Sequence, residues 1–251
     1  MDCTFINTEI DEKLASGEGY YLGLSLQEKE LNLIRSLIKT QWIDNIKRAE
    51  PLHWKTFFDR GIEKYHELSH LVNHALIWPK VNRVLPKMAV DLIRSTSFIK
   101  ALENTYGQFE ISDEENLGRE EIYWRLVRPN ESDDVGPLHA DAWFWELDHG
   151  ATPKNVTRVK VWIAIYCESG LNGLRVVPCS QKREWQYHGE YRDGFSKPQI
   201  DVNEKDLPIQ LVFTKPGDAI IFHDKLLHGG AINRGKNTRV SIEFTLFVKN
   251  K

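Results

Sequence analysis

AIIFHDKLLHGGAINRGKNTRVSIEF, Ala219 to Phe244, decides how this chain folds. Asp218 to Phe222 is a short β-rich run, His228 stands before the turn Gly229-Gly230, and Arg239 opens a second run, TRVSIEFTLFV. Side chains alternate along a strand. Arg239, Ser241, Glu243 and Thr245 therefore share one face, and Val240, Ile242, Phe244 and Leu246 share the other. The apolar face calls for a packed layer behind it. The other face sends a guanidinium and a hydroxyl together into an interior, a pairing suited to holding a buried carboxylate, because arginine stays charged and binds carboxylates in a planar fork.

Outward from this stretch the pattern repeats. After about Tyr106 the chain breaks into short β-rich runs, EIYWRLV, RVKVWIAIYC, GLRVVP and IQLVF, with turns at Asn172-Gly173 and at Lys215-Pro216-Gly217-Asp218. The first part reads as helix. Ser25-x-x-Glu28 is a capping box opening a helix to about Lys47, with Leu31, Ile34, Leu37, Ile38 and Trp42 at helical spacing. A second helix is expected from about Asp59 to Ile77, stopped by Pro79, and a third from about Val90 to Tyr106. Many short strands behind a helical segment predict a mainly β fold, a sandwich or jelly roll with helices packed on its outside. No linker, repeat or low-complexity segment divides the chain. One domain over 1–251 is expected, with helical support over about 1–106 and a β core over about 107–251.

Composition narrows the function. The 251 residues suffice for one sizeable core, and 33 basic against 36 acidic residues give a formal net charge of -3. That balance argues against a dedicated nucleic-acid or membrane-surface binder. No run of 18 apolar residues is present, so no transmembrane helix is expected, and the acidic start MDCTFINTEIDEKLASG does not read as a signal peptide. Cys3, Cys167 and Cys179 lack C-x-x-C spacing, which speaks against a disulfide framework or a cysteine zinc site and for a reducing cytoplasm.

Two stretches carry metal-ligand patterns. HELSHLVNH, His66 to His74, contains His66-Glu67-x-x-His70, the zinc-hydrolase pattern in which two histidines on one helical face grip a metal and the glutamate activates water. The third ligand fails it, since His74 comes too early for a metzincin and no glycine marks the turn. The plainer reading is a helix with histidines on a polar face. GPLHADAWFW carries the other pattern. On an extended strand, His139 and Asp141 project to one face, and His228 supplies a second imidazole. Two histidines and one carboxylate form the facial triad of non-haem Fe(II) oxygenases, which leaves three coordination positions open.

The ordered set H-x-D, His, Arg-x-Ser resembles the phytanoyl-CoA dioxygenase-like branch of the Fe(II)/2-oxoglutarate-dependent oxygenases. The resemblance covers roughly Ile122 to Val248. It is most specific over KPGDAIIFHDKLLHGGAINRGKNTRVS and over VWIAIYCESGLNGLRVVPCSQK, Val161 to Lys182. It implies a double-stranded β-helix, the cupin-like jelly roll, with Fe(II) on His139, Asp141 and His228. It also implies 2-oxoglutarate paired through its distal carboxylate with Arg239, Trp162 beside the cosubstrate, and Trp124 or Arg125 reaching the same pocket. The reaction implied is oxidative decarboxylation of 2-oxoglutarate by O₂ to succinate and CO₂, coupled to hydroxylation of a substrate C–H. The same centre serves desaturation, epimerisation or cyclisation in relatives. Two departures stand out. The family's Pro-Gly-Ser-His reads Pro178-Cys179-Ser180-Gln181, and Gly230 stands where some relatives carry a hydroxyl, a role left to Ser241. Asp141 separates the chain from the halogenase variant, which vacates that ligand for halide.

The substrate is expected to be a small molecule. By strand alternation Trp143 and Trp145 share the face of His139 and Asp141, and Tyr123 lies on a nearby strand, so these three are candidate walls, with core packing as the alternative. The polar, aromatic segment 186–197 reads either as a lid or as an exposed loop. Two other classes remain open: a zinc hydrolase on His66, Glu67 and His70, and a binding protein that keeps the fold without turnover.

Overall fold

Arg239–Lys249 is the strand around which the molecule is built, and it is buried on both faces for most of its length. The computed structural model describes residues 3–192 and 195–250. Its strands are β1 (Tyr20–Ser25), β2 (Phe109–Ile111), β3 (Tyr123–Val127), β4 (Val156–Tyr166), β5 (Leu174–Val176), β6 (Tyr187–Arg192), β7 (Phe195–Ile200), β8 (Gln210–Leu211), β9 (Asp218–His223), β10 (His228–Gly230) and β11 (Arg239–Lys249). The large sheet runs β1-β9-β4-β11-β2, with β3 pairing β11 as well, and a small sheet runs β10-β5-β8. The strand pairings within both sheets are antiparallel.

Alternation on β4 and β11 creates two separate cores. Val161, Ile163 and Ile165 of β4 and Val240, Ile242, Phe244 and Leu246 of β11 face the helices, where they meet Ile34, Ile38, Trp42 and Phe57. Trp162 and Ala164 of β4 turn the other way and pack with Ile220 and Phe222 of β9 and Leu174 and Val176 of β5. The two sheets thus close on one another as an antiparallel jelly roll, with the helical layer outside the large sheet. The hydrophobic effect drives both faces, but only the inner one also carries charge. Phe57, fully buried, packs on Trp42 and Tyr65 with ring centroids 6.1 and 6.0 Å away. Phe57→Ala is expected to cost about 3–5 kcal/mol, read as a lower urea midpoint at unchanged slope.

The helical third departs from the sequence reading in three places, each with a local cause. The first long helix is Glu28–Ala49, and its capping box is Gln27 with Glu30, because Ser25 ends β1. The expected helix 59–77 is a series of short turns: Trp54–Arg60, a 3₁₀ turn Ile62–Lys64, Tyr65–Leu68, a second 3₁₀ turn Ser69–Leu71, and His74–Ile77. Gly61, at φ 84°, ends the first, and Asn73 restarts the last by accepting from the Leu76 N–H. The third helix splits into Lys87–Arg94 and Ser97–Tyr106 because Thr96 caps the second half. No helix of the described residues is long and apolar enough to cross a membrane.

Candidate metal centre

His139, Asp141 and His228 converge. One ligand atom from each lies within 4.8 Å of the others, and this is the only such group of three or more His, Cys, Asp or Glu among the described residues. Two backbone hydrogen bonds clamp the histidines together: His139 N–H donates to the His228 carbonyl (3.0 Å) and His228 N–H to the His139 carbonyl (2.9 Å). The chain is extended at Ala140, and Asp141 opens the short helix Asp141–Glu146. His139 Nδ1 lies 3.0 Å from the Pro137 carbonyl and His228 Nδ1 lies 2.9 Å from the Leu226 carbonyl. A carbonyl only accepts, so each Nδ1 carries the proton and each Nε2 presents a lone pair inward. Burial first, then the neighbouring His228, pushes the His139 pKa down to about 3, so it is neutral and ready to ligate. Burial opposes the charge on Asp141, but Lys160, first among the offsetting groups, holds it below the usual carboxylate range.

Arg239 is 2% exposed, and its guanidinium Nη1 donates to Ser241 Oγ at 2.6 Å. Among the described residues Nε has no hydrogen-bond partner and no carboxylate pairs with this cation. Burial pushes its pKa down to about 10, which still leaves it charged at neutral pH. Trp162 lies beneath it, with Cζ 5.7 Å from the ring centroid. A Cβ added at Gly230 would sit 3.4 Å from Arg239 Nη2. Gly230 shares a strand face with His228 two residues back, about 7 Å along the strand. An unpaired buried guanidinium therefore stands about one short dicarboxylate away from an imidazole of the triad. Asp141 Oδ2 is likewise buried without a hydrogen-bond partner among the described residues. Two inward imidazole lone pairs and one carboxylate suit a divalent cation, and the Arg239 guanidinium suits an anion.

The other candidates divide. Arg125 and Tyr123, on the inward face of β3, both contact Glu243: Arg125 Nε at 3.3 Å, and the Tyr123 hydroxyl donating at 3.1 Å. Trp124, between them, points the opposite way. It packs on Trp78 in the helical layer and donates Nε1–H to Gln41, so it does not reach the pocket. Trp143 and Trp145 do not share the face of the ligands, because Asp141 starts a helix and strand alternation stops there. Trp143 stacks on Tyr187 at 4.5 Å, and Trp145 packs edge-on against Phe247. Phe144, passed over in the sequence, meets His139 edge-on at 5.2 Å. The segment 186–197 forms the hairpin β6–β7 against this helix, with residues 193 and 194 outside the described residues. The turn at Pro178-Cys179 stands with Cys179 at φ 64°, the left-handed conformation that the family's glycine suits.

Two further charged groups, Lys160 and Glu114, escaped the sequence reading. Lys160 is 2% exposed, and it, Glu114 and Glu243 lie close around Asp141. Alternation with Trp162 marks Lys160 as inward, a lysine within an apolar strand. Glu114 comes from an irregular loop and carries no comparable signal. That loop is tied down by Glu121, 1% exposed, which accepts the N–H groups of Glu114 (3.2 Å) and Glu115 (3.0 Å). Burial, then contact with Asp113, pushes Glu121 up to about 7. A carboxyl with a raised folded pKa binds its proton more tightly in the native state, so its contribution is full at acid pH and is lost as pH rises through 7. The Tm of the wild type relative to Glu121→Gln is therefore expected to fall between pH 5 and pH 8.

HELSHLVNH builds no second centre. His66 Nδ1 meets Thr238 Oγ1 (3.0 Å), Glu67 pairs with Arg60 (2.9 Å), and His74 lies between the Tyr65 hydroxyl (3.0 Å) and Asp134 (3.3 Å). The broken helix sends the histidines to separate partners.

Comparison with known proteins agrees with this geometry. No curated protein matches the chain by sequence. Among solved structures, the apo non-heme monooxygenase ThoJ superposes with a TM-score of 0.56 at 14% identity, over 95% of this chain and 76% of that one. The non-heme alpha ketoglutarate dependent carbocyclase SnoK from nogalamycin biosynthesis gives 0.53 at 12%, over 99% and 86%. The epimerase SnoN, in complex with Fe3+, alpha ketoglutarate and nogalamycin RO, gives 0.54 at 13%, over 99% and 87%. At such identities these share the fold. The family described as phytanoyl-CoA dioxygenase matches residues 44–241, most of the chain and every residue of the triad. The chain belongs to the phytanoyl-CoA dioxygenase family and is a non-haem iron, 2-oxoglutarate-dependent oxygenase.

Proposed function

We propose that this enzyme holds Fe(II) on His139, Asp141 and His228, anchors the distal carboxylate of 2-oxoglutarate on Arg239, and hydroxylates a C–H of a small molecule. The observation that carries the reading is the buried Arg239 guanidinium, which has no carboxylate partner among the described residues, on the same interior as the triad. Iron would supply the chemistry by which O₂ oxidises both 2-oxoglutarate, to succinate and CO₂, and the substrate C–H, to an alcohol. The chain supplies position. Ser241 Oγ accepts from Arg239 and keeps its own O–H to donate to the same carboxylate. Trp162 walls that end. His139 and His228, oriented by their carbonyl partners, present lone pairs of fixed direction. Phe144 and Arg125 flank the approach, and Tyr123, buried and engaged by Glu243, sets the wall behind it.

Epimerisation or ring closure at the same centre is the second reading, favoured by the shared fold of a carbocyclase and an epimerase. Product analysis separates it from hydroxylation. The apolar core shared by helices and sheet supports one domain over 1–251, and the free thiols of Cys167 and Cys179 fit a reducing cytoplasm. The test is an anaerobic titration of metal-free protein with Fe(II) and 2-oxoglutarate, following the visible charge-transfer band of the chelate. A saturating band at one equivalent supports the reading. Its absence, with zinc bound instead and lost on His66→Ala, would return the assignment to the zinc-hydrolase pattern.

A further inference from the structure

More charge is buried beside Asp141 than a metal triad requires. Lys160 rises from the middle of β4, and its ammonium has four neighbours: Asp141 Oδ2 at 3.6 Å, Glu114 Oε1 at 3.7 Å, Tyr123 Oη at 3.2 Å and Thr245 Oγ1 at 3.4 Å. Glu114 is braced from behind, accepting from Lys80 Nζ (2.7 Å), Thr245 Oγ1 (2.9 Å) and Ser112 Oγ (3.1 Å). Lys80, Glu114, Lys160 and Asp141 thus form a line of alternating charge ending at the triad. A buried charge persists when it is paired, and Lys160 is paired twice. At 2% exposure its neighbours are all internal, so it does not greet substrate. Its closest approach to Asp141 is to Oδ2. Oδ2 faces Lys160 and His228 Nε2 (3.7 Å), and Oδ1 faces His139 Nε2 (3.9 Å).

We propose that Lys160, braced by Glu114, is a positioning residue that engages one oxygen of Asp141, so that the carboxylate offers a metal only its other oxygen. A carboxylate gripping through both oxygens would consume one of the three positions that 2-oxoglutarate and O₂ need. Glu114 sets how hard Lys160 pulls. With it, the ammonium is shared between two carboxylates; without it, Lys160 leans on Asp141 alone. The inference rests on reading His139, Asp141 and His228 as the iron site.

The test uses the full chain as wild type, Lys160→Met, Lys160→Arg and Glu114→Gln, each titrated anaerobically. Metal affinity is read by competition with a chromophoric chelator. Cosubstrate affinity and band energy are read from the charge-transfer absorption. Lys160→Met is expected to bind Fe(II) several-fold more tightly, because a neighbouring positive charge is gone. It is also expected to bind 2-oxoglutarate about tenfold more weakly with a displaced band, a size typical of groups that orient metal ligands. Lys160→Arg should restore both. Glu114→Gln should move metal affinity the opposite way, several-fold weaker, and it carries the test on that sign should Lys160→Met fail to fold. A wild-type cosubstrate affinity and band in Lys160→Met, or a joint loss of metal and cosubstrate that Lys160→Arg does not rescue, overturns the inference while leaving the iron site standing. No band in the wild type overturns the site and the inference together.

Discussion

Asp141→Ala is expected to remove bound iron and to lower succinate formation from 2-oxoglutarate by at least about 10³-fold, since loss of groups that merely orient metal ligands already costs 10–100-fold. Three features make this the most damaging single change near the triad. Asp141 is the only anion in the group of three that converges on the metal position. Its removal also takes one of the two carboxylate partners of Lys160, whose ammonium lies 3.6 Å from Asp141 Oδ2 and would then repel the incoming cation. Finally, Asp141 opens a helix tied to the sheet by the Ala142 N–H donating to the Asp224 carbonyl (2.9 Å), so no other residue slides into its place. Asp141→Glu keeps the charge but pushes it one methylene further from a fixed backbone, and weak, mispositioned metal binding is expected. Metal content by elemental analysis and succinate by chromatography read both variants. His66→Ala and His70→Ala serve as the contrast and should retain a full equivalent of iron, because His66 spends its ring nitrogen on Thr238. Loss of iron in those variants, with retention in Asp141→Ala, would reverse the assignment.

The legible part of this molecule was the part governed by the two-residue period. The alternation of β11 put Arg239, Ser241, Glu243 and Thr245 on one face, and the structure keeps them there, with the intervening apolar residues in the helical core. The same rule applied one residue too far misplaced Trp143 and Trp145. His139 and Asp141 do meet, but the strand ends between them, and a helix carries Trp143 away to Tyr187. The two-residue period holds on β3 as well. With Tyr123 and Arg125 inward, Trp124 must face the helices. The helical third was legible as helix but not in its breaks, which depend on a glycine and two caps whose effect on neighbouring turns is tertiary. Glu114 was beyond reach. It comes from a loop fixed by a second buried carboxyl, and no spacing announces such a contact.

Arg239→Met is expected to weaken 2-oxoglutarate binding by about 10²- to 10³-fold while leaving iron affinity unchanged, because in the proposed function the guanidinium holds the cosubstrate and no metal ligand. The size follows from what the site lacks. Arg239 is buried and charged and has no carboxylate partner among the described residues, so in the proposed function the distal carboxylate of the cosubstrate would complete it. The unfilled site is then strained in its electrostatics. Methionine is similar in length and carries no charge, so the variant without cosubstrate should unfold at a higher temperature than the wild type. Saturating 2-oxoglutarate should reverse that order, since only the wild type gains from tight binding. Arg239→Lys keeps the charge and loses the fork, along with the bond to Ser241 Oγ, and about a tenfold loss is expected. The sharpest control is a 2-oxo acid without the distal carboxylate, such as pyruvate. Wild type should discriminate against pyruvate by the same factor that Arg239→Met loses toward 2-oxoglutarate, and the variant should bind the two acids almost equally. If the variant still prefers 2-oxoglutarate by the wild-type factor, the distal carboxylate is held elsewhere, and Arg125, another inward cation, becomes its partner.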